Sequence, residues 1–242
     1  MSFFLWIDTM ANEDFLMSVR TAVGTLLPRV DADHPYTDRD ELAGILRKSS
    51  LWLTKGAVAG YERANLDDLD PKTREVLDRD VSAFLDVASN VAPKGPVTPA
   101  QVDAALPPFL EIAQITRKYT LDEWLKAAGG LTDQAAGWAE AEGWPTKRYR
   151  WTFTEPFLGT YELDRLLYGV MGSQLALIPI GRYTMRSTGV FDLAVMPAYE
   201  TIMISRTLKG RWMIDPLPGE TKSRRWNASN FVDVSEKLSR MG

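Results

Sequence analysis

A chain of 242 residues with 45% hydrophobic and 25% charged side chains is long enough for a sizeable core in one domain or two. Its net charge of −4 is unevenly spread: from Lys147 onward there are 14 Lys and Arg against 9 Asp and Glu, a net of +5, which leaves −9 for the residues before. With no cysteine and a single histidine, thiolate zinc sites, iron–sulfur ligation, cysteine nucleophiles, disulfides and two-histidine metal sites within one chain are excluded.

That histidine, His34, lies in "DADHPYTD", which reads as a polar surface loop rather than the seat of a general base. The opening "MSFFLWIDTMANEDF" has no basic leader or small-residue cleavage site, and Asp8 interrupts its apolar run, so no signal peptide is expected. No stretch approaches the ~18 apolar residues of a membrane span. The expectation is a soluble, cytoplasmic protein without membrane contact. The rear excess of positive charge is a weak field, better suited to attraction between the halves, or between copies, than to strong polyanion binding.

In chain order, the first 145 residues read as a helical module. Asn12 with Glu13 and Asp14 opens a helix to Leu27, and a second follows "YTDRDE" with Leu42, Ile45 and Leu46 on one face. Asp70 caps a third, Pro71 takes its first position, and Val76, Leu77, Val81, Phe84, Leu85 and Ala88 form an apolar stripe. After the connector "VAPKGPVTP", Thr98-Pro99 repeats the device ahead of Val102, Ala105, Leu106, Phe109, Ile112 and Ala113. Pro107-Pro108 should kink or split that helix. Thr120 and Glu123 look like a capping box for a new helix ended by Gly129-Gly130, and Thr132 opens another that stops at Gly143.

From residue 146 the period changes. Tyr149, Trp151 and Phe153 alternate with Arg148, Arg150, Thr152 and Thr154, which predicts a half-buried strand with its aromatics on the core face. "SQLALIPI", "GVFDLAV", "ETIMIS" and "RWMID" supply four more strands, with a turn at Met196-Pro197 and another at Gly210. A final helix begins near Asn227 or Ser229. The fold class expected is α+β: residues 1–145 as a helical module packed on residues 146–242, a mostly antiparallel sheet with a final helix.

Two constellations carry possible chemistry. The acids Glu155, Asp192 and Glu200 resemble in spacing the carboxylates of PD-(D/E)XK-type metal-dependent nucleases, which hold Mg²⁺ beside a lysine. Ile202 stands where that lysine belongs, so strand-edge acids are the favoured reading and no metal or other cofactor is expected. The second constellation is basic and aromatic: Lys147, Arg148 and Arg150 beside Tyr149 and Trp151, and Arg224 and Arg225 before Trp226. These are candidate polyanion contacts, since cations neutralise phosphates and aromatic rings stack on bases. Eight tryptophans spread along the chain point to core or interface.

The segments "LWLTKGAVAGYE", "EPFLGTYELDRLL", "GVFDLAVMPAYETIMISR" and "RRWNASNFVDVSEKL" together resemble a group of uncharacterised bacterial proteins over most of the chain. The resemblance implies a bacterial origin and no activity, ligand or partner. The sequence therefore leads to a non-enzymatic binding or assembly protein whose partner is another protein or a second copy. The alternatives are a nucleic-acid-binding protein or degenerate nuclease using Glu155, Asp192 and Glu200, and a cystatin-like cup for a small molecule.

Overall fold

The computed structural model describes residues 16–17, 19–21, 23–24, 27, 70–91, 98–155, 158–182, 187–197, 200–207 and 209–241. The second helix expected from sequence, and His34, lie outside the described residues. The described chain is α+β, with helices α1 (Pro71–Val91) and α2 (Pro99–Ala141) followed by strands β1 (Thr146–Glu155), β2 (Gly159–Val170) and β3 (Ser173–Gly181). Then come β4 (Val190–Met196), β5 (Thr201–Arg206), β6 (Trp212–Ile214), β7 (Arg224–Arg225) and a last helix, α3 (Ala228–Ser239). Two compact units divide the chain: residues 1–122 with 154–160, and residues 123–153 with 161–242. The change from helix to strand falls between Ala141 and Thr146, but the units divide inside α2, after Asp122. No helix among the described residues is long and apolar enough to cross a membrane.

The first unit is built on the stripes read from sequence. Asp70 caps α1 by accepting from the Thr73 N–H at 3.0 Å, and Thr98 and Gln101 cap α2 reciprocally, the Thr98 N–H donating to Gln101 Oε1 at 2.8 Å. Leu77, Val81 and Phe84 of α1 are buried, as are Ala105, Phe109, Ile112 and Ala113 of α2. Phe84 and Phe109 meet with ring centroids 4.8 Å apart. Val19, Val23 and Leu27 are also fully buried, at the spacing of a helical face.

Three expected breaks in α2 do not occur. The helix runs through Pro107-Pro108, past Thr120 and across Gly129-Gly130 without interruption. Pro107 is exposed and Pro108 half-buried, so the carbonyls they leave without donors can turn to water. Thr120 is buried within the helix, and Thr132 donates its hydroxyl back to the Ala128 carbonyl at 3.1 Å instead of capping a new start. Burial explains the continuity. Trp124, Ala128, Leu131, Ala135 and Ala139 form a stripe that passes directly over the two glycines, and apolar burial outweighs the ~1 kcal/mol helix penalty of each.

The second unit carries the sheet, a seven-stranded antiparallel meander in the order β1-β2-β3-β4-β5-β6-β7. Two strands are additional to the sequence reading, β2 and β7. β2 is the longest strand, and its central Glu162, Asp164 and Arg165 hide the apolar alternation. One face is continuous core: Leu166, Leu177, Leu193 and Ile202 lie in one row across β2 to β5, and Phe191, Ile204 and Ile214 in another. The end of α2 and α3 cover this face. Trp124 meets Phe191 at 6.0 Å and Trp212 at 6.4 Å, while Phe231 of α3 meets Tyr168 at 5.4 Å and Trp138 at 5.7 Å. Asn227 caps α3, accepting from the Asn230 N–H at 2.9 Å as the sequence led one to expect. Pro197, preceded by a cis peptide bond, follows β4 at the turn into β5.

Gly189 is required where it stands. Its φ is +151°, and a Cβ there would lie 2.4 Å from Cζ3 of Trp124. Gly129 and Gly130 are the opposite case, helical and with no atom within 4 Å of an added Cβ. Gly129→Ala and Gly130→Ala should each stabilise the chain by about 0.5–1 kcal/mol, whereas Gly189→Ala should cost about 2 kcal/mol or more. Urea unfolding midpoints of the three variants decide this; a loss at either α2 glycine contradicts it.

Candidate functional site

The acids do not assemble. Among the described residues, no three His, Asp or Glu side chains form a group that could hold a metal ion. Asp192 on β4 pairs across to Met203 on β5, so Glu200 lies three positions further along, about 10 Å at strand rise, and at an alternation that sends it to the other side. Glu155 is half-buried at the end of β1. A nuclease-like carboxylate cluster of Glu155, Asp192 and Glu200 is therefore corrected: Asp192 is a lone acid on the less apolar face of β4, between Ile178 and Met203.

β1 buries neither side as far as Thr152, residues 147–152 being exposed; of its three aromatics only Phe153 is half-buried, stacked on the buried Tyr161 at 5.7 Å. Arg148 donates to Asp133 of α2 at 2.6 Å and lies 3.9 Å from Asp164 of β2, while Arg150 pairs with Asp164 at 3.1 Å. The arginines thus stand on the side where carboxylates meet them. Tyr149 and Trp151, expected in the core, are 41% and 49% exposed. The Arg165 guanidinium lies over the Trp151 ring at 3.8 Å, and Lys147 over Tyr149 at 4.6 Å. As a phosphate-binding strip β1 is largely spent, its arginines neutralised and its Trp151 covered on one side by a cation.

Arg224 and Arg225 part company in the same way. Arg224 is held by both Glu220 and Asp233, with Lys237 adding a contact to Asp233 at 2.9 Å. Hydrogen bonds from Lys237 and Arg224 hold the Asp233 carboxyl below its usual value. Burial works to raise Glu220, but its hydrogen bond to Arg224, the charges of Arg224 and Lys237 and a backbone hydrogen bond at Leu217 together leave it lowered as well. Arg225 is exposed and pairs with no acid among the described residues. It lines a cleft of about 360 Å³ with Arg211, Trp212, Trp226 and Gln134. Sequence reading placed Arg225 and Trp226 together but missed Arg211, Trp212 and Gln134, which reach the cleft from the β5–β6 hairpin and from α2.

A second charged centre also lay hidden. Glu123, expected to cap a helix, instead receives Arg206 at 2.6 Å and the buried Arg182 at 3.4 Å. Two guanidiniums sharing one carboxylate hold the middle of α2 to the sheet. Glu123→Gln should destabilise by about 2 kcal/mol, read from thermal unfolding, because the buried cation loses a counter-charge; Asp122→Asn on the exposed side is the comparison, and equal effects contradict the account.

Burial raises the carboxyl of Asp192, and likewise that of Asp215 just after β6, above the value of 3.8. The folded chain then holds these protons more tightly than the unfolded chain. Their effect on stability is neutral below pH 3.8 and becomes unfavourable as pH rises through the folded value. Asp192→Asn should accordingly raise the urea midpoint at neutral pH, with the gain closing as the pH falls to 3.8; a gain that persists at lower pH contradicts the assignment. Comparison with protein-family models, with curated protein sequences and with solved structures gave no match to this chain, so its function is read from these groups alone.

Proposed function

We propose that the protein is a non-enzymatic binding or assembly protein whose partner is another polypeptide, taken up as an additional strand along β1. The observation that carries this reading is the character of β1 itself: ten residues at the edge of the sheet, with Tyr149 and Trp151 presented outward. Edge strands leave a row of backbone donors and acceptors unpaired, and strand addition satisfies them while alternate side chains give specificity. Natural edges are usually guarded by charge. Here two of the three cations, Arg148 and Arg150, are drawn to Asp133 and Asp164, and the third, Lys147, lies over the Tyr149 ring, so each of the three is already engaged within the chain. An added strand with apolar residues at alternate positions would cover Tyr149 and Trp151, and burial of such rings is the common currency of interface anchors.

The partner reading is separable from the nucleic-acid one. A photo-crosslinking amino acid placed at Tyr149 or Trp151 in the native cell should yield one discrete protein adduct, unchanged by nuclease. The adduct should disappear when Thr152→Pro bends the edge strand, and it should not form from the exposed Glu142. Light scattering of the purified chain identifies the partner as a second copy if the protein is a dimer that Thr152→Pro converts to monomer. Equal labelling from Glu142, or an adduct lost on nuclease treatment, overturns the proposal.

A further inference from the structure

We propose that the cleft between Trp212 and Trp226 binds a small anionic ligand, a phosphate or carboxylate carried on a planar ring. This is independent of strand addition at β1. Its lining is one-sided in chemistry. Arg211 and Arg225 contribute guanidiniums, both exposed and neither engaged by an acid among the described residues. Gln134 brings no free acceptor, for a reason that follows from its neighbour. The indole N–H of Trp226 can only donate, and it donates to Gln134 Oε1 at 2.9 Å, so the amide must turn its NH₂ group away from that bond. Apart from the Gln134 oxygen, which the Trp226 N–H already occupies, the polar side chains lining the cleft are donors, and no carboxylate lines it. Such a set has no use for a cation or a neutral acceptor-poor group. It fits an anion, which a guanidinium can hold with two parallel hydrogen bonds.

The planar component follows from the rings. Trp226 is backed by Trp138 at 5.2 Å and Phe231 at 5.4 Å, and Trp212 by Phe191 at 5.6 Å and Trp124 at 6.4 Å. Both indoles are fixed from behind before any ligand arrives, so little side-chain entropy is lost on stacking. The volume, about 360 Å³, lies at the lower end of the ~300–1,000 Å³ range of small-molecule sites. That is room for one planar ring system with its anionic group, up to about the size of a mononucleotide. The same guanidinium pair would also meet the terminal carboxylate of an aromatic acid, so phosphate and carboxylate forms are to be distinguished by experiment.

Calorimetric titration of the full chain with adenosine monophosphate, benzoate, inorganic phosphate and adenosine tests the proposal. At least one ring-bearing anion should bind saturably and roughly tenfold more tightly than phosphate or adenosine, and binding should weaken with added salt. Arg211→Gln and Arg225→Gln should each reduce that affinity roughly tenfold, while Arg148→Gln leaves it unchanged. Neither cleft variant should shift the urea midpoint, because neither guanidinium holds the fold together. Absence of saturable binding by both ring-bearing anions, equal affinity for bare phosphate, or full affinity in Arg225→Gln overturns it. So does binding seen only with a single-stranded oligonucleotide.

Discussion

The sheet-bearing unit is organised around one indole. Trp124 is fully buried, and its N–H donates to the Tyr161 hydroxyl at 3.0 Å. Its ring touches Phe191 and Trp212 and occupies the space that a side chain at residue 189 would need. Burying a ring of this size is worth on the order of 5 kcal/mol as an upper figure, comparable to the whole net stability of many small domains. The consequence is geometric as well as energetic. Trp124 fixes the C-terminal half of α2 over β4 and β6, which in turn sets Gln134, nearly three turns further on, opposite Trp226. The cleft therefore inherits its shape from a side chain that does not line it.

Much of the fold was legible because its signals are local. The switch from helical to alternating period near residue 146, the turn at Met196-Pro197 and the Asn227 cap all depend on a few adjacent residues. What could not be read depends on distant partners. Thr120, Thr132 and the two glycines carry the chemistry of helix ends, yet the stripe from Trp124 to Ala139 has a sheet to cover, and that contact keeps α2 unbroken. β2 was hidden because its charges answer β1: Asp164 is there to meet Arg148 and Arg150. β1 shows the limit most clearly. Period two is visible in its sequence, but the acids that meet its arginines, Asp133 and Asp164, lie one on a helix and one on the next strand, and the strand leaves both its sides exposed over residues 147–152.

Net charge and available charge proved to be different quantities. The rear of the chain has an excess of five cations, yet Arg148, Arg150, Arg182, Arg206 and Arg224 each face a carboxylate. Arg165 spends its guanidinium on the Trp151 ring. Arg211 and Arg225 face no acid among the described residues. Composition counts charges, but only the fold shows which of them are already answered, and the acids that do the answering come mostly from other elements.

The two ends of the sheet are unequal, ten residues in β1 and two in β7, with α3 starting just beyond β7. A fibre of stacked sheets needs two long complementary edges on every unit, one to receive and one to offer. Among the described residues, this sheet has one. Whatever joins it along β1 meets a surface of valence one, so association by that route stops after a single step, as a pair, and cannot propagate.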